Sequence, residues 1–179
     1  MVHIKKKLNP IKTESIDELI SVLNSCEIDK TENCYLNVMR RVNITFVEWE
    51  HYFKFSDEKP QRVSLSKTDD YELLLSCWEK GQERPIHDLD SEEAWIHPIC
   101  GKFIEERYKL SNNKLEQVSS IQLTPQSYSY MQKSKTIYKY INVYNARSVC
   151  LHLYSKPVKV WTEYDKVTGR TNMVEHQYD

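Results

Sequence analysis

Short β-prone runs separated by turns fill the chain from about residue 62 onwards. The clearest runs are residues 72–78, 94–99, 101–110, 135–143 and 148–154. Turn-forming residues separate them, as at Lys80-Gly81 and Ser111-Asn112-Asn113. Strands spaced roughly ten residues apart are typical of an all-β sandwich or barrel. Because a chain of 179 residues can bury one core but is short for two domains, we predict a single mainly β domain.

The first third of the chain has a helical pattern instead. Ser15 and Glu18 have the spacing of a capping box. The apolar positions that follow have the spacing of one helix face, and they are Ile16, Leu19, Ile20 and Leu23. Two further helices are predicted near residues 32–42 and 46–52. We therefore predict an N-terminal tail over residues 1–12 and one domain over residues 13–179, with helices within about 15–55 and a barrel within about 62–179.

Charge and cysteine content narrow the class of protein. The 25 Lys and Arg residues nearly balance the 26 Asp and Glu residues, so no overall field favours nucleic acid. No apolar run reaches the ~18 residues that a membrane span needs, and no signal-peptide core is present. The five cysteines lack a C-x-x-C spacing, so we expect reduced, mostly buried thiols. The prediction is a cytoplasmic protein without nucleic-acid or membrane partners; the sequence specifies no protein partner.

The stretch from Gly81 to Gly101 contains most of a metal-binding motif. The first motif of cupin barrels is a glycine, five residues, a histidine, one residue, a second histidine, three residues and a glutamate. Gly81, His87 and Glu93 match its glycine, its first histidine and its glutamate. Two histidines at alternate strand positions would point to one face, but Leu89 stands at the second position. The second cupin motif supplies a histidine ahead of an asparagine, and there Tyr138 precedes Asn142.

Four segments in order carry a wider resemblance. They are residues 48–55 with Arg62 shortly after, residues 77–88, residues 148–157 (Ser-Val-Cys-Leu-His-Leu-Tyr-Ser-Lys-Pro) and residues 164–169. Over nearly its whole length the chain resembles the cysteine dioxygenase family of cupins. The resemblance implies a mainly β fold, a small barrel of the jelly-roll type with N-terminal α-helices. That family adds dioxygen to the sulfur of cysteine at a ferrous ion held by three histidines.

The resemblance implies a damaged iron site. By position, His87 is the one family ligand that remains, and Leu89 and Tyr138 replace the other two. Ala94 stands where the family has the cysteine that, in some members, forms a thioether with the active-site tyrosine. One imidazole gives no useful site, because non-haem iron needs three protein ligands on one face.

The substrate side of the family site is better matched. By the same resemblance, Arg62 pairs with the substrate carboxylate. His152 and Tyr154 match the catalytic residues that orient one another beside the iron, and Cys150 takes the place of their serine partner. The resemblance therefore implies a substrate-binding set of Arg62, Cys150, His152 and Tyr154.

Three functions stay open at this point. The leading hypothesis is a pseudoenzyme without a cofactor, which binds a small amino acid or carboxylate in a regulatory role. The alternative is an active thiol dioxygenase or other metal-dependent enzyme, in which His87, Glu93 and Tyr138 hold Fe2+ or another divalent ion. The third is a protein-interaction scaffold that uses tyrosine-rich surface strands such as residues 128–130.

Overall fold

The computed structural model describes residues 12–29, 34–89, 91–112, 114–132 and 136–175. The chain divides into two compact units, Met1–His51 and Tyr52–Asp179. The described part of the first unit contains the helices α1 (Ile16–Asp29), α2 (Cys34–Met39) and α3 (Phe46–Glu50). The described part of the second contains β1 (Gln61–Lys67), β2 (Glu72–Trp78), β3 (Ile86–Asp88), β4 (Glu93–Cys100), β5 (Phe103–Ser111), β6 (Lys114–Leu123), β7 (Ser129–Gln132), β8 (Ile137–Asn142), β9 (Ser148–Tyr154), β10 (Val160–Tyr164) and β11 (Thr171–Glu175).

The helical unit begins as its sequence predicts. The backbone N–H of Glu18 donates to Ser15 Oγ at 3.1 Å, and Glu18 Oε2 accepts from the backbone N–H of Glu14 at 2.8 Å. These bonds satisfy donors that the first turn of a helix leaves without intrahelical partners. Of the four residues of the predicted apolar face, Ile16, Leu19 and Leu23 are buried and Ile20 is half-buried.

One cysteine pair departs from the prediction of reduced thiols. Cys26 and Cys34 form a disulfide, with 5.7 Å between their Cα atoms. The end of α1 and the start of α2 approach closely enough for the bond, and the sequence spacing alone gives no sign of this approach. Cys77, Cys100 and Cys150 are free thiols.

The strands of the second unit form two antiparallel sheets. One sheet has the order β1-β2-β9-β4-β7 and the other has the order β11-β10-β3-β8-β5-β6. All five β-prone runs of the sequence overlap strands, and two of them coincide with β2 and β9. The prediction of a mainly β fold is confirmed.

The inward faces of the two sheets carry the core and the candidate site residues. Side chains alternate along a strand, so the residues that share a buried face recur at every second position. The buried cluster between the sheets consists of Leu74, Trp78, Leu89, Ala94, Ile96, Phe103, Leu123, Met131, Tyr138, Tyr140, Cys150, Tyr154 and Val158. Trp161 packs against this cluster from β10.

The two glycines of the metal-motif stretch have positive φ, and they differ in their surroundings. Gly81 has φ of 75° and nothing within 4 Å of the position a Cβ would take. Gly101 has φ of 87°, and a Cβ there would lie 1.9 Å from Ser148 Oγ. Gly101 is therefore required by the close approach of β9 as well as by its backbone conformation.

The tyrosine-rich segment is less exposed than its sequence suggests. Tyr128 is exposed, whereas Ser129 is buried. The Tyr130 ring stacks on Trp95 with 5.1 Å between ring centroids. Within the described residues, no helix is long and apolar enough to cross a membrane.

Candidate functional site

A pocket of about 510 Å3 adjoins the inward-facing site residues. Its lining comes from β1, β10 and β11 and from the segment before β3. Its lining includes the side chains of Arg62, Arg84, Trp161 and Glu163. A concave site with a few charged groups is the usual form of a small-molecule site.

A row of side chains crosses the sheet beside this pocket. His87 on β3 lies opposite Glu163 on β10 and opposite Tyr138 on β8. The His87 and Tyr138 rings are 4.4 Å apart between centroids. Leu89 is buried in the core cluster and falls on the same side as His87, two positions along. The structure therefore brings together the three positions at which the resemblance places the iron ligands.

Glu93 lies elsewhere. Ala94 and Ile96 belong to the core cluster, so Glu93 points to the other face of β4. There its Oε1 accepts a hydrogen bond from Tyr130 OH at 2.8 Å. The structure does not bring Glu93 to His87 and Tyr138.

The protonation state of His87 follows from its one backbone contact. Its Nδ1 lies 2.8 Å from the carbonyl oxygen of Pro85, and a carbonyl can only accept, so Nδ1 carries the hydrogen. Nε2 therefore keeps a lone pair. Burial lowers the pKa of His87 to about 3, and the positive charges of Arg84 and Arg62 act in the same direction. The ring is neutral near pH 7.

Tyr138 is held as a neutral phenol. Burial, followed by its interaction with Tyr154, raises the pKa of Tyr138 well above its usual value. The two buried tyrosine side chains interact electrostatically. A phenolate at Tyr138 would therefore be costly to form, because the surroundings disfavour the charged form.

A buried hydrogen-bonded chain runs from Tyr154 and His152 on β9 to Ser76 and Trp78 on β2, the neighbouring strand of the same sheet. His152 Nδ1 lies 3.2 Å from Tyr154 OH, and His152 Nε2 lies 2.7 Å from Ser76 Oγ. Ser76 Oγ also accepts from Trp78 Nε1 at 2.8 Å. Burial, with added effects of Arg62, Arg84 and His87, lowers the pKa of His152 well below its usual value. The histidine is therefore neutral and has a partner at each nitrogen.

Ser76 is a site residue that the sequence interpretation missed. The resemblance placed Cys150 at the serine position, but the hydroxyl that contacts His152 comes from Ser76 on the neighbouring strand. Ser76 and Cys150 lie directly opposite each other on β2 and β9. Cys150 is buried in the core cluster, and burial raises the pKa of its thiol well above its usual value. A polar residue inside the apolar run of β2 was the available signal.

Arg62 brings a charge to the pocket. It is only 9% exposed, and its Nη1 has no hydrogen-bond partner among the described residues. Its guanidinium carbon lies 5.3 Å from the centroid of the Trp161 ring. A buried donor without an acceptor costs about 1–3 kcal/mol, and more when it is charged. An anionic ligand would offset that cost.

The donor set around His87 does not fit mononuclear iron. In the part of the chain that the structure describes, no group of three or more His, Cys, Asp or Glu side chains could hold a metal ion. Non-haem ferrous sites use three such ligands on one face. Here His87 is accompanied by an aliphatic side chain at Leu89, by the protonated phenol of Tyr138 and by one carboxylate, that of Glu163 on β10, which leaves the set short of three ligands.

Two facing antiparallel sheets with the site residues between them define a cupin-type barrel. The family model of cysteine dioxygenase type I matches residues 8–167. The chain therefore belongs to the cysteine dioxygenase type I family, which confirms the resemblance found in the sequence.

Individual relatives agree with this assignment. Cysteine dioxygenase type 1 of Bos taurus is 26% identical over 174 residues, covering 92% of this chain and 86% of that protein. The protein of the same name from Danio rerio is 24% identical over 179 residues, with coverage of 92% and 86%. The crystal structure of a Thermus thermophilus protein, at 10% identity, covers 60% of this chain and 92% of that one with a TM-score of 0.50. This last likeness concerns the fold alone.

Two substitutions test whether Ser76, and not the residue at position 150, supplies the hydroxyl that contacts His152. Ser76→Ala leaves His152 Nε2 and Trp78 Nε1 without a partner, so we expect the free energy of unfolding to fall by about 1–3 kcal/mol. Adding Cys150→Ser on the opposite strand should restore part of this loss. Urea unfolding followed by tryptophan fluorescence measures both. A Ser76→Ala variant as stable as the wild type would contradict the assignment.

The lowered pKa of His87 predicts a pH dependence of stability. Between pH 6.5 and about 3, the unfolded chain binds a proton at this residue that the folded chain does not. The free energy of unfolding should therefore decrease as the pH falls through this window, by up to about 1.4 kcal/mol per pH unit for one histidine. Urea unfolding at several values between pH 7 and 5 should show a shallower slope for His87→Gln. His51→Gln, at an exposed position, should keep the wild-type slope, and equal slopes in all three proteins would disprove the prediction.

Proposed function

We propose that this member of the cysteine dioxygenase family binds a small amino acid or carboxylate at Arg62 and does not oxidise thiols at iron. The observation that carries the proposal is a buried Arg62 nitrogen that has no hydrogen-bond partner among the described residues, in a barrel where Leu89 and Tyr138 stand at two of the family's ligand positions. In this view the protein is a pseudoenzyme that acts by binding, in a regulatory role. Cytoplasmic localisation and the absence of nucleic-acid and membrane partners stay predictions from the sequence.

Arginine chemistry supports the carboxylate ligand. The planar guanidinium matches a carboxylate with two parallel hydrogen bonds. Arg62 is held over the Trp161 ring, so little side-chain freedom has to be lost on binding. Its charge also acts on the buried His152 and Tyr154, which supports a ligand position near the Tyr154 hydroxyl.

Donor chemistry supports the loss of iron. The positions of two family ligands hold Leu89, which has no donor atom, and Tyr138, whose pKa burial raises well above its usual value. His87 packs against the Tyr138 ring. Packing of side chains therefore takes the place that coordination has in the family.

A metalloenzyme with an altered ligand set is the second candidate. The contact between His87 and Tyr138 favours this candidate, since Nε2 of His87 has a lone pair that could bind a metal ion. Its third proposed ligand, Glu93, is engaged by Tyr130 on the other face of β4. The candidate therefore has two of its three ligands in contact.

Metal and oxygen measurements distinguish the two candidates. Protein produced in iron-supplemented medium should contain far less than one iron per chain and should show no cysteine-dependent oxygen uptake, because the donor set lacks two ligands. Elemental analysis and an oxygen electrode give the two readouts. Near-stoichiometric iron with oxygen uptake would overturn the proposal. If Tyr138→Phe then lowered the iron content, the second candidate would be supported.

Ligand binding tests the remaining half of the proposal. Calorimetric titration with L-cysteine and with small carboxylates should give saturable binding that Arg62→Ala abolishes. Arg62→Lys keeps the charge but loses the paired donors, so we expect its affinity to fall about tenfold or more. Arg147→Ala is the control, because Arg147 also lies over an aromatic ring, Phe55, but outside the pocket lining. Binding that persists in Arg62→Ala would contradict the assignment.

A further inference from the structure

We infer that Glu163 makes the pocket selective for α-amino acids over simple carboxylates, by accepting the ligand's ammonium group while Arg62 holds its carboxylate. The inference rests on the proposed function and adds a specificity-determining residue to it. Neither the resemblance nor the family motifs point to Glu163, which is identified by its place in the fold.

Glu163 lies on the same inward face as the candidate site. It is directly opposite His87 in the pairing of β10 with β3. Trp161, two residues earlier, falls on the same face and packs against the core cluster. The pocket lining includes Arg62, Trp161 and Glu163. The register of β10 with β3 therefore brings the carboxylate of Glu163 to the candidate site.

The Trp161 ring connects the two charged groups. The Arg62 guanidinium carbon lies 5.3 Å from the ring centroid, and Trp161 Nε1 donates to Glu163 Oε1 at 3.1 Å. One indole thus positions a cation and a carboxylate on the same pocket. The two oppositely charged groups of an α-amino acid are themselves close neighbours on one carbon, so a single ligand can reach both.

The fold leaves a donor on Arg62 and an acceptor on Glu163 available to a ligand. Arg62 Nη1 has no hydrogen-bond partner in the described residues. In the same part of the chain, Trp161 is the side-chain donor that contacts Glu163, and it contacts only Oε1. Glu163 Oε2 can therefore accept from an ammonium group, while Oε1 keeps its bond to the indole. An ammonium–carboxylate hydrogen bond of this kind is among the stronger ones.

The overall charge of the lining suits a ligand with both signs. Of the six charged residues that line the pocket, three are basic and three acidic: Lys59, Arg62, Arg84, Glu83, Glu163 and Glu175. Glu83 Oε2 is ion-paired with Lys139 Nζ at 2.8 Å, so this acid has a partner outside the lining. A lining with equal numbers of basic and acidic residues does not favour a dianion or a dication. It favours a zwitterion, whose positive and negative groups each meet the opposite charge of the lining.

Two probes that differ only in the amino group test the inference. L-cysteine and 3-mercaptopropionate are titrated into the wild type and into Glu163→Gln by calorimetry under anaerobic conditions. We expect the wild type to bind L-cysteine about tenfold or more tightly than 3-mercaptopropionate, the effect of one charge-assisted hydrogen bond. Glu163→Gln keeps an oxygen for Trp161 and removes the charge, so the two affinities should become nearly equal, through weaker binding of L-cysteine.

A matched control separates a direct contact from a general effect of charge. Glu175→Gln removes one negative charge from the same lining and keeps the carboxylate of Glu163 that Trp161 contacts, so it should keep the wild-type preference. Loss of preference in both variants, or in neither, would overturn the inference. Equal binding of the two probes by the wild type would also overturn it while leaving carboxylate binding at Arg62 intact. Failure of the wild type to bind either probe would instead refute the proposed function, and the inference with it.

Discussion

A chain of buried hydrogen bonds runs along β2 and β9 on the inward face of one sheet, and the rest of the site is arranged around it. It runs from Trp78 through Ser76 and His152 to Tyr154, and Tyr154 interacts electrostatically with Tyr138 on the other sheet. Burial lowers the pKa of the histidine and raises those of the tyrosines, so every member is neutral near pH 7. Because an unpaired buried donor or acceptor is costly, the chain tolerates a change at one position only if a neighbour restores the lost partner.

This constraint explains two departures from the family pattern that look unrelated in the sequence. A thiol at Cys150 would leave His152 without a hydroxyl, and Ser76 supplies one from the opposite position of the paired strand. At the position where the resemblance places an iron ligand, the ring of Tyr138 packs against His87. In both places, an ordered neutral core is maintained by groups that differ from the family set.

The sequence predicts the parts of the fold whose signals are local. The capping box of α1 and the continuous apolar runs of β2 and β9 are examples. β6 was not predicted, because its residues are mostly exposed and its place depends on pairing with β5. Ser76 and the Cys26–Cys34 disulfide were missed for a related reason. Each depends on which residue lies opposite or nearby in space, and only register and helix packing determine that.

The charges around this chain show where a ligand would be selected under the proposed function. Arg62 and Arg84 act on the buried His87 and His152. Arg62 on β1 and Glu163 on β10 meet at the Trp161 ring, and both line the pocket. Under the proposed function, a ligand is therefore selected by its own charges at this pocket, before it reaches the hydrogen-bonded chain of Ser76, His152 and Tyr154.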